Sequence, residues 1–156
     1  MKAASLKELK TELGNLPNDR VIELCLRLIK YKKENKELLT YLLFDAGHED
    51  SYIQEVKLQI DEEFENMNLY NLYLAKKTVR KVLRTSNKYI KYSGLKQTEA
   101  EILIHFCKKL KDSGISLSKN KALNNLYDRQ MIRNNKAIST LHEDLQYDFQ
   151  IEIEDL

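Results

Sequence analysis

The chain has 156 residues, a length that fits a single domain, and 42% of them are hydrophobic against 32% charged. That apolar share can build a core, which excludes disorder throughout; four glycines and one proline exclude collagen-like, low-complexity and turn-rich folds. The net charge is only +2, no apolar run nears the roughly 18 residues of a membrane-spanning helix, and residues 1–8 lack the apolar stretch of a secretory signal. The expectation is a helical, cytoplasmic protein with no membrane partner.

The first helix opens at Ser5, with Glu8 at capping-box spacing; Leu6, Leu9 and Leu13 follow at helical intervals and Gly14 ends the run. Pro17 opens a second helix, where a proline in the first turn loses no needed hydrogen bond. Its inward face is expected to be Val21, Leu24, Cys25 and Leu28. A third helix is expected from Asn35 to Ala46, with Leu38, Leu39, Leu42 and Leu43 inward and Gly47 as its stop. Asp50 or Ser51 is the expected cap of the fourth helix, whose stripe is Ile53, Val56, Ile60, Phe64 and Met67.

Asn68 or Asn71 starts the fifth helix, which runs to Tyr92 and ends at Gly94. Thr98 and Glu101 have the spacing of a second capping box and would open a sixth helix from Glu99 to Asp112, with Ile102, Leu103, Phe106 and Leu110 on one face. Ser118 begins the last and longest helix, with Tyr127, Met131, Ile138, Leu141 and Leu145 along a seam that also holds Asn124 and Asn134. The acidic tail at about 146–156 shows two periods. Tyr147, Phe149, Ile151 and Ile153 alternate as in a strand, while Leu145, Phe149 and Ile153 recur every four residues. A lone strand cannot satisfy its backbone inside a helical domain, so a frayed helical end is expected. The whole reads as one all-α domain over residues 1–156, about seven helices in antiparallel hairpins. A short HEAT-like curved array is the first architecture and a closed helical bundle the alternative; the fifth and sixth helices together have the length of one such repeat unit.

Charge is unevenly spread. Residues 50–67 carry one base and six acids, residues 68–97 eight bases and no acid, and residues 143–156 six acids and no base. Such asymmetry matters because fields act locally. At 100° per residue, Lys77, Arg80, Arg84, Lys88 and Lys91 fall within an arc of about 80°, with Tyr73 on the same side and Tyr70 also if the helix extends that far back. Ala75, Val79, Val82, Leu83 and Ile90 fall opposite. A cationic stripe edged with tyrosine, over residues 73–91, would attract the phosphates of a nucleic acid and offer rings for stacking. The same residues could serve an acidic protein partner, or could be neutralised by the acidic fourth helix or the acidic tail.

No other constellation carries chemistry. Cys25 and Cys107 lack a C-x-x-C spacing and read as buried free thiols of a reducing compartment. His105 pairs with Glu101 one turn before it, and the repeated tripeptide at 48–50 and 142–144 reads as chance, since neighbouring residues on a helix do not converge on one ion. Glu-x-x-His pairs, a glycine-rich phosphate loop and a nucleophile elbow are all missing. The chain therefore reads as non-enzymatic, with no catalytic residues and no cofactor or metal site to assign.

Two segments carry a resemblance: residues 22–44, with Ile22-Glu23-Leu24-Cys25-Leu26 and Glu34-Asn35-Lys36-Glu37-Leu38-Leu39, and residues 72–94, with Leu72-Tyr73-Leu74-Ala75-Lys76-Lys77. Together they resemble uncharacterised, purely helical bacterial proteins of unknown function. The resemblance implies a helical fold and a bacterial cytosolic setting, and brings no functional residues with it. The function expected from the sequence is a protein-interaction or scaffold module with an unidentified protein partner; the alternative is a nucleic-acid-binding protein using the basic helix.

Overall fold

The computed structural model describes residues 1–156 and is all-α. Eight α-helices follow one another: α1 (Leu6–Gly14), α2 (Asn18–Tyr31), α3 (Lys33–Thr40), α4 (Glu49–Glu65), α5 (Leu72–Ser93), α6 (Lys96–Asp112), α7 (Lys121–Ile138) and α8 (Glu143–Glu154). A π-helical turn, Tyr41–Asp45, continues α3. The chain divides into two compact units, Met1–Leu43 and Phe44–Leu156, so the boundary falls inside that turn.

In the larger unit α6 is the organising element. It packs against α4, α5, α7 and α8, and α4 also meets α5 while α7 meets α8. Thr98, Glu99, Ala100, Ile102, Leu103, Ile104, Phe106, Cys107 and Leu110 are all buried on it. A helix covered on nearly every side is what an almost continuous apolar run such as Ile102-Leu103-Ile104 specifies. Ile53, Val56 and Ile60 of α4 and Ala75, Val79 and Val82 of α5 complete this core. Phe64 sets its ring 5.9 Å from that of Phe106. The stripe read from the sequence for α4 thus faces inward, with Phe64 only half-buried.

The tail is helical. Phe149 is buried against Ala100, Ile104 and Ile138, with Leu145 and Ile153 partly buried beside it. The four-residue spacing prevailed over the two-residue alternation because it places these three side chains on one face, against α6 and α7.

Several boundaries differ from those expected. The long last helix is two: Ser139 caps α7, and α8 restarts after His142. Asn120, not Ser118, caps α7, its side chain accepting from the Leu123 amide. α3 starts at Lys33 rather than Asn35 and stops at Thr40. α4 begins at Glu49, with His48 rather than Asp50 or Ser51 at the cap position. α6 starts at Lys96, so Thr98 lies inside the helix. Its hydroxyl donates to Glu49 Oε1 at 2.5 Å, while Glu101 accepts from Lys57 Nζ of α4 at 2.9 Å. Both residues of the expected capping box are thus used to fasten α4 to α6, a demand that spacing along one helix cannot reveal.

The repeated tripeptides both fall at helix starts, though only the His142 side chain accepts a cap hydrogen bond, from the Asp144 amide. His48 and His142 both stand at cap positions, followed by Glu49-Asp50 and Glu143-Asp144 in the first turn. Carboxylates there face the positive end of the helix dipole. The second tripeptide therefore lies at a helix start, as the first does, and not inside a long helix.

The smaller unit is built differently. Ser5 and Glu8 form the expected capping box on α1, Ser5 N–H donating to Glu8 Oε2 at 2.7 Å and Glu8 N–H to Ser5 Oγ at 3.3 Å. α2 and α3 are joined by the single extended residue Lys32 and pack on each other, and the Asn35 amide donates to Leu28 O at 2.8 Å. Yet no residue of α1, α2 or α3 is buried. Cys25, Leu28, Leu38, Leu42 and Leu43, all expected inward, are exposed, and Leu24 and Leu39 are only half-buried. The periodicity that sets an apolar face is present in each helix, but two helices cannot cover the apolar faces of both.

Candidate functional site: a basic helix face and an uncovered apolar unit

The basic stripe forms on α5 because that helix is continuous for 22 residues. Asn71 caps its start, accepting from the Tyr73 and Leu74 amides at 3.0 and 3.1 Å. Gly94 closes it at φ 71°, the left-handed conformation that suits a glycine after a helix. Ala75, Val79, Val82, Ser86 and Ile90 are buried. The opposite face presents Tyr73, Lys77, Arg80, Arg84 and Lys91, all exposed. Tyr70 lies before the helix and is wholly exposed, so it does not extend the stripe along α5.

No ion pair involves Lys77, Arg80, Arg84 or Lys91. Two carboxylates of α4 pair off the stripe: Glu63 with Lys81 of α5 at 2.7 Å, and Asp61 with His105 at 2.6 Å and Lys109 at 3.0 Å. α8 packs on α6 and α7, and none of its carboxylates pairs with a lysine or arginine. Lys88 is the engaged member of the set, half-buried, with its ammonium 5.0 Å from the Tyr89 ring centroid and 6.0 Å from that of Tyr92. The structure therefore brings Tyr73, Lys77, Arg80, Arg84 and Lys91 to one solvated face and turns Lys88 toward aromatic neighbours.

Two charged clusters were not legible in the sequence. Asp61 gathers His105 and Lys109, so His105 pairs across to α4 and not with Glu101 on its own helix. Burial works to raise the Asp61 carboxyl, but the Lys109 and His105 hydrogen bonds outweigh it and hold it below the usual carboxylate range. Glu99, buried on α6, accepts from Lys96 Nζ and from Arg133 Nε, each at 2.6 Å. Arg133 also donates to Asn87 of α5. Here too burial raises the carboxyl and the two cations lower it by more. The cluster ties α5, α6 and α7 together and lines a shallow cleft with Lys91 and Gly94.

Cys107 is fully buried and burial pushes its thiol up to about 12, so it is no thiolate at neutral pH. Cys25, expected to be buried, is instead an exposed free thiol. It lines a groove of about 260 Å³ with Leu28, Ile29, Leu38, Leu39 and Leu42 between α2 and α3. No three His, Cys, Asp or Glu side chains cluster as a metal site would require, and no helix is long and apolar enough to cross a membrane.

No protein-family model matches this chain, and neither a curated protein nor a solved structure matches it. The functional reading therefore rests on the two surfaces just described.

Proposed function

We propose that this chain is a non-enzymatic protein-interaction or scaffold module whose contact surface is the apolar face of residues 1–43. The observation that carries the reading is that α1, α2 and α3 bury no residue although each has an apolar stripe. Leu6 is 84% exposed, Leu28 61% and Leu43 64%. Apolar area left in water forgoes about 25 cal/mol per Å², and contiguous apolar patches beyond a few hundred Å² usually mark interaction sites. A photoactivatable side chain at position 28 should form protein adducts in native cells, and one at the exposed Lys111 of α6 should not. No adduct at position 28, or equal yields at both positions, would overturn the reading.

A second reading is favoured by one specific observation: four of the stripe cations have no carboxylate partner. In that reading the face formed by Lys77, Arg80, Arg84 and Lys91, with Tyr73 at one end, binds a nucleic-acid strand through its phosphates. Tyrosine stacking adds a term that does not depend on base sequence.

A further inference from the structure

We infer that the ligand of the basic face is a nucleic-acid duplex, held by a second cationic row on α7 that faces the α5 row across the cleft at Glu99. The inference rests on the second reading of function given above and names the substrate class. All of its residues belong to the unit Phe44–Leu156.

The second row follows from the helical period. With Arg129 at zero, Arg133 falls at about 40° and Lys136 at about 340°. Leu123, Asn134, Ala137 and Ile138 are the buried residues of α7, on its other side. Arg129 and Lys136 are exposed and, like Lys77, Arg80, Arg84 and Lys91, form no ion pair.

Three observations set the two rows opposite each other. First, Arg133 donates to Asn87 of α5, and Asn87 borders the stripe, about 20° from Arg80 and about 40° from Lys91. The other shoulder of α5, at Lys81, turns toward Glu63 of α4. The stripe therefore lies on the α7 side. Second, α5 and α7 run the same way. α4 meets α5 antiparallel, Glu49 with Ser93 and Glu63 with Lys81. It meets α6 in parallel, Lys57 with Glu101 and Asp61 with His105, so α5 opposes α6. α7 opposes α6 too: Arg133, late in α7, holds Glu99 at the start of α6, while the earlier Tyr127 stands near Cys107 further along it. With Asn87 level with Arg133, Arg84 comes level with Arg129 and Lys91 with Lys136. Third, the cleft has no free carboxylate. Glu99 is the one acid lining it, and Lys96 and Arg133 both hold it. α5 carries no acid, and α7 only Asp128, which accepts from Asn124. A cleft edged by one sign of charge concentrates the field there, and an anion relieves the repulsion.

Two rows select a duplex over a single strand. α5 and α7 both pack on α6 with little contact of their own. At helix spacings of about 8–10 Å, the rows stand on the order of 10–20 Å apart. The phosphate lines that border a duplex major groove are about 12 Å apart. A single strand has one such line and engages one row.

The test is fluorescence anisotropy with a short labelled duplex and, separately, one of its strands, between about 50 and about 200 mM salt. At about −0.9 per phosphate, six cations give a duplex slope of about −5.4, against about −2.8 for a strand on the four of α5. Arg129→Gln with Lys136→Gln should bring the duplex slope to about −3.6, so that the salt rise weakens duplex binding about 150-fold instead of about 1,800-fold. The strand slope should not change. Helicity should be retained, because both side chains are exposed and unpaired.

An unchanged duplex slope in the α7 variant would overturn the inference and leave the α5 reading standing. So would equal slopes for duplex and strand in the native chain, since both ligands would then use one row. An equal fall for both ligands would assign the two rows to a single strand and overturn the duplex. No binding of either at the lower salt, or displacement of the duplex by polyglutamate at equal charge, would overturn both the inference and the nucleic-acid reading.

Discussion

If the α5 stripe binds a nucleic-acid strand, the salt dependence follows from a count of its free cations. Lys77, Arg80, Arg84 and Lys91 are exposed and form no ion pair, and at 1.5 Å per residue they span about 21 Å, room for several phosphates of one strand. For a single strand, each neutralised phosphate contributes about −0.7 to the slope of log affinity against log salt. Four contacts give a slope of about −2.8, so raising salt from about 50 to about 200 mM should weaken binding about 50-fold. Arg80→Glu with Arg84→Glu removes two of the four and should bring the slope to about −1.4 or shallower. The assay is fluorescence anisotropy with a labelled single strand at several salt concentrations. Lys7→Glu with Lys10→Glu, on exposed positions of α1, changes the net charge equally and should leave the slope alone. Equal loss in both double variants would mean that net charge, not the stripe, drives binding. An unchanged slope in the α5 variant would remove the stripe from consideration.

Other consequences concern the frame that holds these surfaces. Asn134 is fully buried with neither amide atom hydrogen-bonded; since an unpaired buried amide costs about 1–3 kcal/mol, Asn134→Leu should raise the urea midpoint, and a loss above about 1 kcal/mol would refute the reasoning. Glu99 has a depressed carboxyl in the fold, so its contribution is fully present above the unfolded value of about 4.3 and is lost as pH falls through the folded value. The stability gap between the native chain and Glu99→Gln, followed by urea unfolding across pH, should therefore be constant near neutrality and close below about pH 4; a gap that widened on acidification would contradict the pairing with Lys96 and Arg133. Phe106→Ala should cost about 3–5 kcal/mol, against less than about 0.5 for Leu6→Ala on the uncovered α1, and comparable losses in urea would show that α1 is packed after all.

Much of the fold was legible because it depends on local periodicity. Ile53, Val56 and Ile60, the face Ile102, Leu103, Phe106 and Leu110, and the tail trio Leu145, Phe149 and Ile153 all sit where helical spacing places them. Of the candidate site, the arc from Lys77 to Lys91 and the burial of Ala75, Val79, Val82 and Ile90 behind it follow from the same 100° step. What spacing misassigned were groups with partners on other helices: Thr98 serves Glu49, Glu101 serves Lys57, and His105 serves Asp61.

The amino-acid sequence alone thus determined the all-α character, the inward faces of α4, α5 and α6, the Ser5–Glu8 cap and the clustering of cations on one side of α5, since each arises within a few turns of a single helix. Only the tertiary structure decided that the α5 cations form no ion pair, that Glu99 and Asp61 become charged junctions, and that no leucine of α1, α2 or α3 is fully buried. Those outcomes depend on which helices become neighbours. A helix's own period fixes where its apolar face points, but whether anything covers that face is settled by long-range packing.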